Sequence, residues 1–135
     1  MHMDSRLEPE ERGALSSTWG GGNRVDMAIG ARIIEIIKND KLLDNASVMG
    51  NKLRKGIHEL GQKKNSIINV RGIGLMIGIE FDTKENRDTK LMQLFKKGLL
   101  LLPAGQKAMR VIPPLIITDE EVEEGLDLMD QVLSG

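Results

Sequence analysis

Residues 70–81 read VRGIGLMIGIEF, and the second half of this stretch decides the fold class. From Leu75 to Phe81 large apolar side chains alternate with other residues, as they do in a strand with one buried face. The side chains on that face are Leu75, Ile77, Ile79 and Phe81. A run from about Ile67 predicts a second strand, with residues 71–74 as the turn between the two. The stretch therefore predicts a β-hairpin.

A helix and two more strands are predicted after the hairpin. Leu91, Leu94 and Phe95 share one side of a short helix from about Thr89 to Lys97, which Gly98 would end. The segments LLLLP (99–103) and AMRVIP (108–113) are typical of short strands, and the second ends because prolines remove backbone donors. This part of the chain is predicted to run β-β-α-β-β.

The C-terminus carries a helix-start signal. Thr118 and Glu121 have the spacing of a capping box, in which each side chain caps a backbone N–H group. The apolar stripe that follows has helical spacing and consists of Val122, Leu126, Met129 and Leu133. A final helix is predicted from this point.

Two helices precede the hairpin. Asn23 is a good N-cap for a helix from about Arg24 to Lys38, which is apolar on nearly every side and so needs more than one packing partner. The next helix runs from about Asp40 to Gly61 and has an ordinary stripe of Leu42, Ala46, Met49, Leu53, Ile57 and Leu60. This order predicts an α+β fold with a small, mostly antiparallel sheet covered by helices.

Composition excludes several classes of function. The 135 residues suit one domain, which we assign to residues 23–135, with residues 1–22 as a lead-in and glycine-rich loop. A net charge of -1 and only 2% aromatic residues argue against nucleic-acid binding. No run approaches the ~18 apolar residues of a membrane span. Cysteine is absent, which fits the cytoplasm, and the distant His2 and His58 make no metal site.

Two segments are candidate binding sites. SSTWGGGN (16–23) combines hydroxyls, glycines and a helix N-terminus, which suits either a phosphate or a plain hinge with an N-cap. Arg110 lies between apolar neighbours in KAMRVIPPLIIT (107–118), and it must reach water, an internal carboxylate or an external anion. Because Met109 and Val111 point the other way, a solvent-facing arginine and a two-pronged carboxylate clamp both remain open.

Five segments together resemble the C-terminal part of class III, ω-type pyridoxal-phosphate aminotransferases. They are SSTWGGGN, DNASVMGNKLRKGI, VRGIGLMIGIEF, GLLLLPAG and MRVIPPLIITDEEVEEGLDLM, and the resemblance is nearest to the 4-aminobutyrate and lysine 6-aminotransferase branch. The resemblance implies the small C-terminal domain of that fold. It also implies that Thr18, and more weakly Ser17, binds the cofactor phosphate across a homodimer interface, and that Arg110 binds a substrate carboxylate.

The family's Schiff-base lysine lies upstream of the serine/threonine–glycine segment, and no lysine precedes Thr18 here. The resemblance therefore implies amino-group transfer between an amino acid or ω-amino acid and a 2-oxo acid only in a longer parent with the large cofactor domain. We expect this chain alone to have no catalytic residue and no activity, because covalent catalysis needs that amine. The alternative is a free-standing α+β module that binds a small carboxylate at Arg110 without catalysis.

Overall fold

The computed structural model describes residues 23–64 and 67–133. The chain divides into two units, Met1–Ile36 and Ile37–Gly135. The helices and strands are α1 (Arg24–Asn39), α2 (Leu42–Lys64), β1 (Ile67–Ile73), β2 (Met76–Phe81), α3 (Lys84–Lys96), β3 (Leu102–Ala104), β4 (Ala108–Val111) and α4 (Asp119–Leu133). None of the helices in these ranges is long and apolar enough to cross a membrane.

The second unit is built on an antiparallel sheet. Its described strands lie in the order β1-β2-β4-β3, and every neighbouring pair is antiparallel. Helices α2, α3 and α4 contribute side chains to one core together with β2 and β4. The centre of that core is fully buried and includes Ile57, Ile77, Ile79, Phe81, Leu94, Met109, Val122, Met129 and Leu133. The predicted α+β class and antiparallel sheet are confirmed.

The hairpin has the predicted buried face but a tighter turn. Leu75, Ile77, Ile79 and Phe81 are all buried. The predicted turn at residues 71–74 is wrong, because β1 stays paired as far as Ile73, which lies opposite Met76. The connection is therefore the two residues Gly74 and Leu75, and Gly74 has a φ of 52°, in the region that glycine enters without steric cost.

Helix α3 differs most from its prediction. It begins at Lys84 rather than near Thr89, because the Thr83 hydroxyl accepts a hydrogen bond from the Asn86 N–H at 3.1 Å. Leu94 is fully buried, but Phe95, predicted on the same side, is 57% exposed. Gly98 follows the helix with a φ of 93°, as a C-terminal glycine does.

The other predicted helix signals are confirmed. The Asn23 side chain accepts hydrogen bonds from the N–H groups of Val25 and Asp26 at the start of α1. At the start of α4, the Thr118 N–H donates to Glu121 Oε2 at 2.9 Å, and the Glu121 N–H donates to Thr118 Oγ1 at 3.3 Å. Helix α2 begins two residues after the predicted start and continues to Lys64.

Helix α1 keeps its apolar side chains in contact with solvent. None of its residues is buried, so the packing partners that its apolar surface needs are not found among residues 23–64 and 67–133. The exposed apolar side chains are Val25, Met27, Ile29, Ile33, Ile34 and Ile36. An apolar helix surface of this kind is typical of a protein–protein or interdomain contact.

Candidate functional site

Arg110 lies on β4 with its side chain away from the core. Its neighbours Met109 and Val111 are buried on the helix-covered side, and Arg110 is exposed on the other. Alternation along the strand therefore places the charge as the sequence predicts. Within residues 23–64 and 67–133, the Arg110 side chain makes no hydrogen bond and no ion pair.

The sheet face opposite the helices, here called the open face, surrounds Arg110. One row of paired residues crosses the strands from Arg71 through Gly78 and Arg110 to Leu102. The adjacent row on the same face contains Asn69, Glu80, Ala108 and Ala104. Gly78 has no side chain and Ala108 has only a methyl group, so few atoms project from the open face next to Arg110.

The acidic side chain of the open face is already occupied. Arg71 Nη1 lies 2.7 Å from Glu80 Oε2, which makes an ion pair between β1 and β2. Arg110 lies opposite Gly78 rather than Glu80, and it is not part of this pair. Of the three environments open to Arg110 from the sequence, an internal carboxylate is therefore excluded within the described residues. Water and an external anion remain.

The end of β4 gives the site an apolar border. Ile112 follows the strand and is exposed, as are Ile73 and Met76 at the end of the hairpin. These three residues line a broad groove with Pro113 and Pro114.

Arg87 is an important residue that the sequence reasoning missed. It lies on α3, is 3% exposed and donates hydrogen bonds to the carbonyl oxygens of Ala108 at 2.7 Å and Gln106 at 3.2 Å. Its Nε also lies 2.6 Å from Asp88 Oδ1. Arg87 thus holds the β3–β4 turn and the beginning of the strand that carries Arg110. The available signal was its spacing of four and seven residues from Leu91 and Leu94, which places it on the buried stripe.

The remaining candidates behave as ordinary surface groups or fall outside the described residues. Ser17 and Thr18 lie outside them. His58 is exposed and contacts Gln62 at 3.1 Å. The described residues contain no group of three or more histidine, cysteine or acidic residues that could hold a metal ion.

The acidic start of α4 binds a lysine of α2. Lys52 Nζ lies 2.6 Å from Asp119 Oδ2 and 2.8 Å from Glu123 Oε1. These hydrogen bonds, that to Asp119 foremost, raise the pKa of Lys52 above its usual value. The two ion pairs make Lys52 a structural link between α2 and α4.

Comparison with known proteins gives a consistent result. The family model for "Aminotransferase class-III" matches residues 3–133. The chain is 35% identical to the acetylornithine aminotransferase of Caldanaerobacter subterraneus over 122 residues, covering 90% of this chain and 30% of that protein. It is also 35% identical to the L-lysine-epsilon aminotransferase of Amycolatopsis lactamdurans over 123 residues, covering 90% and 27% of the two chains.

Solved structures agree with the sequence comparison. A lysine aminotransferase from M. tuberculosis superposes with a TM-score of 0.80 at 33% identity, over 89% of this chain and 28% of that one. An acetylornithine aminotransferase from Elizabethkingia anophelis gives a TM-score of 0.82 at 25% identity, over 95% and 33% of the two chains. The chain thus spans about a third or less of the length of the relatives it matches.

Proposed function

Because the chain belongs to the class III aminotransferase family, we propose that it is the small C-terminal domain, residues 23–135, of a longer aminotransferase. The parent would transfer an amino group between an amino acid or ω-amino acid and a 2-oxo acid. The coverage of about 30% of each relative supports this proposal, since two thirds of a complete enzyme would lie in another polypeptide segment. The apolar surface of α1 also supports it, as a surface that a large domain or a partner subunit would cover.

In this proposal Arg110 binds the substrate carboxylate. The observation that carries the assignment is that its guanidinium is exposed and unpaired in the described part of the chain, while the neighbouring Glu80 is bound to Arg71. Two parallel N–H donors of a guanidinium match the two oxygens of a carboxylate, which fixes the orientation of the bound molecule as well as its affinity. Arg110 would therefore hold the substrate in a defined direction relative to the reacting group.

The charges of the open face fit a carboxylate better than the cofactor itself. Arg71, Glu80 and Arg110 carry a net charge of about +1, whereas a phosphate monoester carries about −1.5 to −2. These charges therefore match a substrate carboxylate better than the phosphate of pyridoxal phosphate.

The cofactor would be held by polypeptide outside this chain. Thr18, with a weaker contribution from Ser17, would donate hydroxyl hydrogen bonds to its phosphate across the interface of a homodimer. Pyridoxal phosphate, once bound, would supply the electron sink for the reaction. The contributions of this chain would be phosphate binding at Thr18 and carboxylate orientation at Arg110, in a cytoplasmic enzyme. By itself the chain would not transfer an amino group.

A chimera tests the proposed parent activity. This chain would replace the corresponding C-terminal segment of the M. tuberculosis lysine aminotransferase. The two chains superpose with a TM-score of 0.80. We expect the chimera to form product from lysine and a 2-oxo acid, whereas the isolated chain and the truncated relative form none. Transfer by the isolated chain, or a folded and cofactor-loaded chimera without transfer, would contradict the proposal.

The second candidate is a module that binds a small carboxylate without catalysis. It is favoured by the core of the second unit, which joins the sheet to α2, α3 and α4 within Ile37–Gly135. Both candidates use Arg110, so carboxylate binding does not separate them. The chimera does, because a module evolved for binding alone would not restore transfer to the truncated relative.

A further inference from the structure

Gly78 is an unusual residue for its position. It lies within β2, which is an inner strand of the sheet because β1 and β4 pair on its two sides. Glycine weakens the interior of a strand, since it has no side chain to pack and loses the most backbone freedom on folding. The presence of glycine at this position therefore calls for a structural or functional explanation.

The usual structural reasons are absent at Gly78. Its φ is not in the left-handed region, unlike that of Gly72 or Gly74. The register irregularity of the hairpin lies between Ile67 and Asn69, so Gly78 is not at a bulge. A Cβ atom added to Gly78 would meet only Arg71, with Cγ at 3.8 Å and the carbonyl oxygen at 3.9 Å, which are ordinary contact distances. An alanine would fit without any rearrangement.

What distinguishes Gly78 is its pair of neighbours. Arg71 lies opposite it on β1 and Arg110 lies opposite it on β4, both on the open face. With strands about 4.8 Å apart, the two arginine backbones are about 10 Å apart, and Gly78 adds no side chain to the space between them, which Arg71 Cγ borders on one side. Arg71, which pairs with Glu80 two residues further along β2, borders one side of this space, here called the slot, and Arg110 borders the other.

We propose that Gly78 determines access to Arg110, by keeping open a slot that admits one carboxylate between Arg110 and the Arg71–Glu80 pair. This inference rests on the proposed function of Arg110 and names a second residue that controls it. Glu80 neutralises Arg71, so one carboxylate is enough to balance the remaining charge of Arg110. A larger side chain at residue 78 would stand directly opposite Arg110, with Cβ atoms about 5 Å apart, and would fill the slot.

The test measures carboxylate binding to the 135-residue chain by nuclear magnetic resonance. The Nε–Hε signal of Arg110, assigned with Arg110→Ala, is followed during titration with potassium acetate, and potassium chloride at equal ionic strength is the reference. The variants are Gly78→Ala and Gly78→Val, which differ in bulk, and the control is Asn69→Val. That control places a valine on the same face, opposite Glu80 rather than Arg110.

We expect the affinity for acetate to fall about threefold or more in Gly78→Val. A threefold fall corresponds to about half of the free energy of a tenfold change. Gly78→Ala should have a smaller effect, and Asn69→Val should bind acetate as the original chain does. Valine favours strands, so Gly78→Val should still fold. If it unfolds, the test is whether Gly78→Ala binds acetate more weakly than Asn69→Val does.

Two different outcomes separate this inference from the proposed function. If acetate shifts the Arg110 signal and the Gly78 variants bind it unchanged, Gly78 does not control access and the inference is wrong, while the role of Arg110 stands. If chloride and acetate shift the Arg110 signal equally, the carboxylate role of Arg110 is itself wrong, and the slot has no ligand.

Discussion

Replacing Arg87 by alanine should destabilise the second unit by about 3 kcal/mol. The side chain is 3% exposed and donates to two backbone carbonyl oxygens, those of Ala108 and Gln106. Hydrogen bonds from a charged donor contribute about 1.5 kcal/mol or more each, and a carbonyl left unsatisfied in a buried place costs a similar amount. The bond to Asp88 adds little to this sum, because that carboxylate is 53% exposed.

The measurement is urea unfolding followed by circular dichroism, and Arg54→Ala is the matched control. Arg54 is an exposed helical arginine whose described bond joins Asn51 three residues away, so its loss should cost less than about 0.5 kcal/mol. Hydrogen exchange of the amides at residues 105–108 should accelerate in Arg87→Ala and not in the control. Equal stability of the two variants would refute the view that Arg87 holds β4 in place.

Three further predictions concern the fold. Gly50→Ala should destabilise the protein by about 2 kcal/mol, because the added methyl group would collide with the backbone carbonyl of Gly74. Gly125 has open space around it, so Gly125→Ala should stabilise α4 by about 0.5–1 kcal/mol. Thermal melts that rank the two variants in the opposite order would contradict the contact between α2 and the hairpin. Hydrogen bonds from the Asn86 side chain and then the Thr83 N–H lower the pKa of Asp82, so its contribution is present above the ordinary carboxyl pKa and is lost as pH falls through the lowered value. Urea midpoints measured below about pH 4 should therefore fall less in Asp82→Asn than in the original chain. The pKa of Lys52 is raised, so its contribution to stability changes with pH in the opposite direction and should be lost only as pH rises above 10.5. Urea midpoints at alkaline pH should therefore depend less on pH in Lys52→Met than in the original chain.

The sequence predicts those parts of the fold that depend on local signals. Alternation from Leu75 to Phe81 identifies the buried face of β2, and the caps at Asn23 and Thr118 mark the starts of α1 and α4. The start of α3 was missed because Lys84 and its neighbours are polar and carry no periodic signal. Only the Thr83 cap marks it.

The candidate site could be predicted only in part, for a different physical reason. Alternation is sufficient to turn Arg110 away from the core, because Met109 and Val111 must be buried. Its neighbours depend on the pairing of β2 with β4, which are separated in sequence by α3 and β3. The row from Arg71 through Gly78 to Arg110 does not follow from any local pattern, and the ion pair of Arg71 with Glu80 depends on a hairpin register that the predicted turn at residues 71–74 placed wrongly. Those contacts became visible only in the assembled sheet.

The central role proposed for this chain is that Arg110 binds the substrate carboxylate. The direct measurement compares Arg110→Ala with the unmodified chimera, using one substrate that carries a carboxylate and one primary amine that does not. The variant should lose about tenfold to hundredfold in kcat/KM for the carboxylate substrate, the loss expected for a charge-assisted pair, and little for the amine. Equal losses for both substrates, or none for the carboxylate substrate, would contradict the assignment.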